Sequence, residues 1–218
     1  MITPLFLMPN SVLFPKMPIP VEIFEEHYKA MIRDAVSGDR KITIALMLSE
    51  VDTEFAGVEN AHKIACMGHI ETFEELDDGN FDIVVVGMHR VRIIRETQRF
   101  PYLMAEIEDV PDIGHDEYSD ALITRHNRIS GLFARFMELA TDGNADSGKI
   151  MPQMDFELLI NTVATMLNIT AEQKQGLLEI DDSFQRCDIL DVILQQQIDT
   201  LGIIRRFAHL KTNHPHFN

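Results

Sequence analysis

Eight residues, Gly143 to Ile150 (GNADSGKI), carry the nearest thing to a catalytic motif in this sequence. A phosphate-binding P-loop has the spacing G-x-x-x-x-G-K-[S/T]. Its glycines let backbone N–H groups close on phosphate, its lysine reaches the outer phosphates, and its hydroxyl ligates Mg²⁺. Gly143, Gly148 and Lys149 stand in that register, but Ile150 occupies the hydroxyl position. Asp146 sets a negative charge inside the anion site, and Pro152 interrupts the helix that should follow. A working loop also joins a strand to a helix, whereas a helical pattern, LFARFMELATDG, precedes this one. The segment is read as a chance look-alike, a mobile connector between helices, with no ATP expected.

Other chemistries find no better footing. No G-x-S-x-G elbow is present, and neither Ser130-Gly131 nor Ser147-Gly148 has the strand-turn-helix context a nucleophilic serine needs. Nine histidines show neither H-x-x-x-H nor H-E-x-x-H spacing. His209, His214 and His216 crowd the C-terminal tail, where fraying is the ordinary expectation. Cys66 and Cys187 match no metal or redox spacing and fit a reducing cytoplasm. Glu74-Glu75 and Asp77-Asp78 flank a turn and are expected to be solvated. The expectation is a protein without catalytic residues, metal or cofactor.

Charge narrows the partners. A net charge of −16 over 218 residues, with no basic stretch, repels phosphate backbones, so nucleic acid is not expected as a ligand. No apolar run reaches the ~18 residues of a membrane span, and the N-terminus lacks the basic region of a secretion signal. The composition, 45% hydrophobic and 25% charged, suffices for one large or two small cores.

The elements that must position any site fall into two halves. Up to Asp112 the pattern is mostly β: Ile42–Leu48, Phe81–Val86, Val91–Ile94 and Tyr102–Val110 read as strands, with a hairpin turn at Asp78-Gly79-Asn80. One helix interrupts them, Glu25–Val36, with Tyr28, Met31, Ile32 and Ala35 on one apolar stripe. Pro15, Pro18 and Pro20 place the approach to it at an edge or in an extended, poorly paired conformation. After Pro111 the period becomes helical. Helices are expected over Asp116–Ala140 and Asp155–Leu167, from a capping box at Thr170–Gln173, and from Asp182 towards His209. This gives domains at 1–112 (β, with one helix) and 113–218 (helical bundle).

Four ordered blocks carry a family resemblance: PLFLMPNSVLFPKMPIPVEIFEEHY (Pro4–Tyr28), LDDGNFDIVVVGMHRVRI (Leu76–Ile93, with Gly-x-x-Arg at Gly87 and Arg90), YLMAEIE (Tyr102–Glu108), and the helical stretch holding Glu172, Lys174, Leu177, Leu178, Glu179 and Arg186. Over Pro4 to Leu190 the chain resembles the Lon protease N-terminal (LON substrate-binding) domain family. The resemblance implies an α+β fold, a PUA-like β pseudo-barrel followed by a C-terminal α-helical bundle. Full Lon proteases add ATPase and Ser-Lys peptidase modules; this sequence, ending at Asn218, is read as a free-standing form without them. What the resemblance carries over is engagement of polypeptides, by fold-level analogy. One departure is Lys16, where the family has glycine in Phe-Pro-Gly-Met; lysine takes positive φ only at a cost.

Val12, Phe14, Met17, Ile19, Tyr28 and Arg90 are the candidate peptide-contact residues. The proline-punctuated segment Ser11–Pro20 either presents its apolar side chains and adaptable methionine to a partner or plugs the barrel. Glu25 and Arg90 match family positions and are read as a structural ion pair; alternatively, Arg90 holds a carboxylate in a pocket. The leading function is a non-catalytic polypeptide-interaction module, such as a proteostasis adaptor. RNA binding through the PUA-like fold and a small-molecule site between the two domains remain as alternatives.

Overall fold

The computed structural model describes residues 1–48, 53, 56–116, 118–141 and 153–211, the last five of these by backbone only. GNADSGKI and the tail beyond Lys211 lie outside the described residues, so the connector reading of that segment is not addressed. The polypeptide forms two compact units: residues 1–113 with 164–181, and residues 114–163 with 182–218. Residues 164–181, helical in pattern, fall with the β strands in the first unit.

In the first unit the elements are β1 (Ile2–Met8), β2 (Pro18–Ile23), α1 (Glu26–Ser37), β3 (Lys41–Leu46), β4 (Ile64–Glu75), β5 (Phe81–Gln98) and β6 (Met104–Asp109). The strand order is β2-β5-β4-β3-β1-β6, and β6 pairs again with β5. Five strands therefore close into a ring, β5-β4-β3-β1-β6, with β2 as an appended edge. All pairings are antiparallel except β1 with β3, which lie parallel with Leu5 opposite Thr43. Closure depends on β5, whose 18 residues cover two expected strands and the residues between them. Register shifts at Met67/Gly68 and Ile93/Arg95 let it bend from β2 and β4 towards β6.

The pleat separates two cores. Phe6, Ile42, Ile44, Cys66, Ile83 and Val85 face the apolar stripe of α1 (Tyr28, Met31, Ile32, Ala35). Leu5, Leu7, Ala45, Ala65, Met67, Val91 and Ala105 pack on the other face. Alternation along β1 and β3 makes both faces buried, which is why Ile42–Leu46 reads as a continuous apolar run. The hairpin forms as expected: Gly79 takes φ +80° and donates to the Leu76 carbonyl at 2.9 Å.

Prolines at 18 and 20 fix which side of β2 faces its partner. Lacking N–H groups, they sit where the strand points away from β5, and both are exposed. The free edge of β2 is thereby stripped of two donors and is a poor template for an added strand.

α3 (Phe156–Met166), α4 (Ala171–Leu178) and α5 (Ser183–Lys211) follow α2 (Asp120–Ala140). The Thr170 capping box forms: its hydroxyl accepts from Gln173 N at 3.2 Å and Gln173 Oε1 accepts from Thr170 N at 3.0 Å. α4 is held in the first unit by Gln175, whose side-chain amide donates to the Ile64 carbonyl at 2.8 Å. In the second unit α2 and α5 run parallel. Arg125–Asp188 and Arg128–Asp191 are both ion-paired at an offset of 63 residues, beside buried Ile129, Phe133, Cys187, Leu190 and Leu194. Burial raises the Cys187 thiol to about 12, far from the range of a reactive thiolate.

Candidate functional site

Most of the sequence-derived candidates are buried. Val12, Phe14 and Met17 are buried and Ile19 is half-buried. The reason is a tight turn docked on β5: Lys16 N donates to Gly87 O at 2.8 Å, and Gly87 N donates to Met17 O at 2.9 Å. Gly87 has no Cβ, and one built there would stand 2.2 Å from the Phe14 carbonyl oxygen. The glycine of Gly-x-x-Arg thus admits the turn, and the turn points Val12, Phe14 and Met17 inward. Of the two sequence readings of Ser11–Pro20, groove or plug, this burial contradicts the groove: the prolines limit pairing on one side only.

Lys16, standing where the resemblance anticipates a glycine, takes φ +65° with its side chain exposed. A left-handed conformation costs a Cβ-bearing residue about 1–2 kcal/mol, partly offset by glycine's larger unfolded-state entropy. Lys16→Gly is expected to stabilise the chain by about 0.5–1 kcal/mol, read as a rise in the urea midpoint at unchanged slope.

Arg90 is 1% exposed and serves as a brace. Nε donates to Asp112 at 2.7 Å, Nη1 to Asp181 at 2.9 Å and to Leu178 O at 3.1 Å, and Nη2 to Pro111 O at 3.3 Å. Beside it, Ile113 N donates to Asp181 O at 2.9 Å. Arg90 therefore holds the residues just before both points, 113/114 and 181/182, where the chain leaves the first unit. The expected Glu25–Arg90 pair is corrected. Glu25 Oε1 instead accepts from the Thr53 hydroxyl at 2.7 Å, and its other oxygen lies 3.8 Å from His27 Nε2. The two residues have different partners.

Tyr28 is 5% exposed, yet it shapes the accessible surface. β1 pairs with β6 only over Ile2–Pro4, and Leu5 N still reaches Leu103 O at 2.9 Å. At Leu7, among the described residues, no strand remains on that side. The Tyr28 hydroxyl takes its place, accepting from Leu7 N at 3.2 Å and donating to Leu7 O at 3.3 Å. Burial drives the phenol well above its ordinary pKa, so it remains a neutral donor.

Next to this cap lies an apolar groove of 220 Å³, lined among others by Phe6, Met8, Val21, Phe24 and Tyr28. Phe24, at its rim, is 64% exposed. A second, shallower groove of 470 Å³ runs over the outer face of β2, β5 and β4 and shares Val21 and Glu22 with the first. Its surface is built of cross-strand rungs: Pro20 opposite Val84 opposite Thr72, then Glu22 opposite Asp82 opposite Glu74. Sequence reasoning missed Phe24, Glu22 and Asp82. The available signal was period two in Val21-Glu22-Ile23-Phe24: Ile23 points inward, so Phe24 is an aromatic at an outward position.

Apolar side chains and carboxylates surround these grooves, and among the described residues no group of three His, Cys, Asp or Glu is arranged to hold a metal ion. Nor, among these residues, is any helix long and apolar enough to cross a membrane.

Comparison with known proteins gives a consistent picture. The sequence model of the ATP-dependent protease La (LON) substrate-binding domain matches residues 2–196. Lon protease 2 of Herpetosiphon aurantiacus is 28% identical over 202 residues, covering 92% of this chain and 24% of that protein. Lon protease of Flavobacterium johnsoniae is 27% identical over 191 residues, covering 84% and 22%. The chain thus spans about a quarter of the length of these curated relatives. Among solved structures, the N-terminal domain of Mycobacterium avium complex Lon protease superposes with a TM-score of 0.71 at 18% identity, covering 89% of this chain and 98% of that one. A Lon N-terminal domain protein from Xanthomonas campestris gives 0.66 at 21%, covering 87% and 96%. At these identities the likeness is one of fold, and the fold is the expected α+β.

Proposed function

We propose, since the chain belongs to the LON substrate-binding domain family, that it is a non-catalytic module that engages polypeptides, with the Phe24 groove as the place of contact. The observation that carries this reading is a large aromatic held 64% exposed over an apolar groove beside a rigid strand edge. A solvated phenylalanine gains by covering, and a partly open groove of this size accepts one or two apolar side chains of an extended segment. The preformed edge at Leu7 is closed by Tyr28, so side-chain capture, not strand addition, is the mode the site favours. A role as an adaptor in cytoplasmic proteostasis accords with two buried free cysteines and an acidic surface. RNA binding gains no support from this site, whose flanking face is acidic.

The test is binding of a fluorescein-labelled, permanently unfolded polypeptide, followed by anisotropy. Phe24→Ser is expected to weaken binding about tenfold, by loss of roughly 1.5 kcal/mol of apolar burial. Its exposure keeps the change in stability within about 0.5 kcal/mol. Undiminished binding by a folded Phe24→Ser variant places the contact elsewhere.

A further inference from the structure

We infer that the groove selects polypeptide segments in which an apolar residue is flanked by lysine or arginine, the basic flank lying along the rung Glu22–Asp82–Glu74. The inference rests on the reading of the Phe24 groove as a polypeptide site and adds its charge preference. The two grooves share Val21 and Glu22, so an extended segment with an apolar side chain beside Phe24 passes directly onto the β2–β5–β4 face. There the register sets Glu22 opposite Asp82 and Asp82 opposite Glu74, all three exposed. Among the described residues no lysine or arginine pairs with any of them. Carboxylates directly opposite one another on neighbouring strands repel. A cationic side chain seated across the rung relieves that repulsion and adds its own attraction, whereas an acidic flank compounds it. The adjoining rung, Pro20–Val84–Thr72, has little charge and leaves room for the aliphatic stems of lysine or arginine. The chain's net charge of −16 acts in the same direction at longer range.

Four labelled peptides test this by anisotropy: a Leu-Phe-Leu core flanked by lysines, by glutamates or by serines, and lysine flanks around a serine core. On the unaltered chain the lysine-flanked apolar peptide is expected to bind about tenfold tighter than the serine-flanked one, and the glutamate-flanked one weakest, as three exposed charge pairs permit. The combined variant Glu22→Gln, Glu74→Gln, Asp82→Asn removes repulsion, so it is expected to fold at least as stably. It should abolish the preference, so that lysine- and serine-flanked peptides bind alike, and salt at 0.5 M should do likewise on the unaltered chain. Equal affinity for lysine and serine flanks, or a preference that survives the triple variant, overturns the inference but leaves polypeptide capture standing. Equal binding of the lysine peptide with a serine core also overturns it, since attraction is then independent of the groove. Absence of binding by all four overturns both.

Discussion

Arg90→Ala is expected to destabilise the chain by about 3 kcal/mol, the lower end of the 3–5 kcal/mol range for breaking a buried ion pair. The guanidinium is 1% exposed, but its partners Asp112 and Asp181 are 26% and 51% exposed. Once Arg90 is gone, the two carboxylates can rehydrate in place, which limits the loss. The Leu178 and Pro111 carbonyls lose a donor, and the emptied volume adds a cavity cost. For a chain of this length the melting temperature should fall by roughly 6–12 °C. Arg90→Lys should recover only part of the loss, because one ammonium cannot reproduce the planar fork that meets two carboxylates and two carbonyls. The diagnostic measurement is hydrogen exchange. Protection should fall at Ile113 and Arg186, whose N–H groups bond the Asp181 and Asp182 carbonyls around the braced exits. If Arg90→Ala leaves stability unchanged yet abolishes peptide binding, the residue is a ligand contact and the brace assignment is wrong.

Gly87→Ala is expected to cost at least as much as ordinary overpacking, about 3 kcal/mol, because the added methyl meets rigid backbone. Its Cβ would lie 2.2 Å from Phe14 O, 2.9 Å from Phe14 C and 3.1 Å from Cys66 Sγ. Relief requires the Ser11–Pro20 turn to lift from β5. That breaks the Lys16–Gly87 and Gly87–Met17 hydrogen bonds and exposes Phe14, which is 0% accessible. Gly79→Ala is the informative comparison. Gly79 is strained for other residues by its φ of +80°, but nothing lies within 4 Å of an added Cβ. Its cost should be only about 1–2 kcal/mol. Denaturant titration of the two variants should therefore rank Gly87→Ala as the more damaging; the reverse order would show that the turn can move cheaply.

Both predictions concern residues the sequence marked, Gly87 and Arg90 of the Gly-x-x-Arg motif, with roles it did not show. The motif's spacing is legible, but the arginine's partners lie 22 and 91 residues away, and no local pattern specifies them. Glu25 offered a plausible carboxylate at the start of α1, and the fold gave it to Thr53 instead. In the same way, mixed proline and apolar residues over Ser11–Pro20 fit either a plug or a groove. The missing Cβ at Gly87 decides for the plug, since only close backbone approach brings those side chains inside.

The sequence by itself determined what depends on local periodicity and turn chemistry. It marked the α1 stripe, the Gly79 hairpin, the Thr170 capping box, the change from β to helical period near Pro111, and prolines that hinder strand pairing before α1. It also marked the family, because ordered blocks along the chain carry that information without reference to contacts. Tertiary structure decided whatever depends on distant partners. β1 becomes a strand through parallel pairing with β3 some forty residues on, and β5 runs unbroken because β6 returns to close the ring. Residues 164–181 join the β unit through contacts such as Gln175 with Ile64. The candidate site itself belongs to this second class. Phe24 is exposed, and Glu22, Asp82 and Glu74 share a rung, because register between strands fixes which side chains meet, and register is a property of the whole sheet.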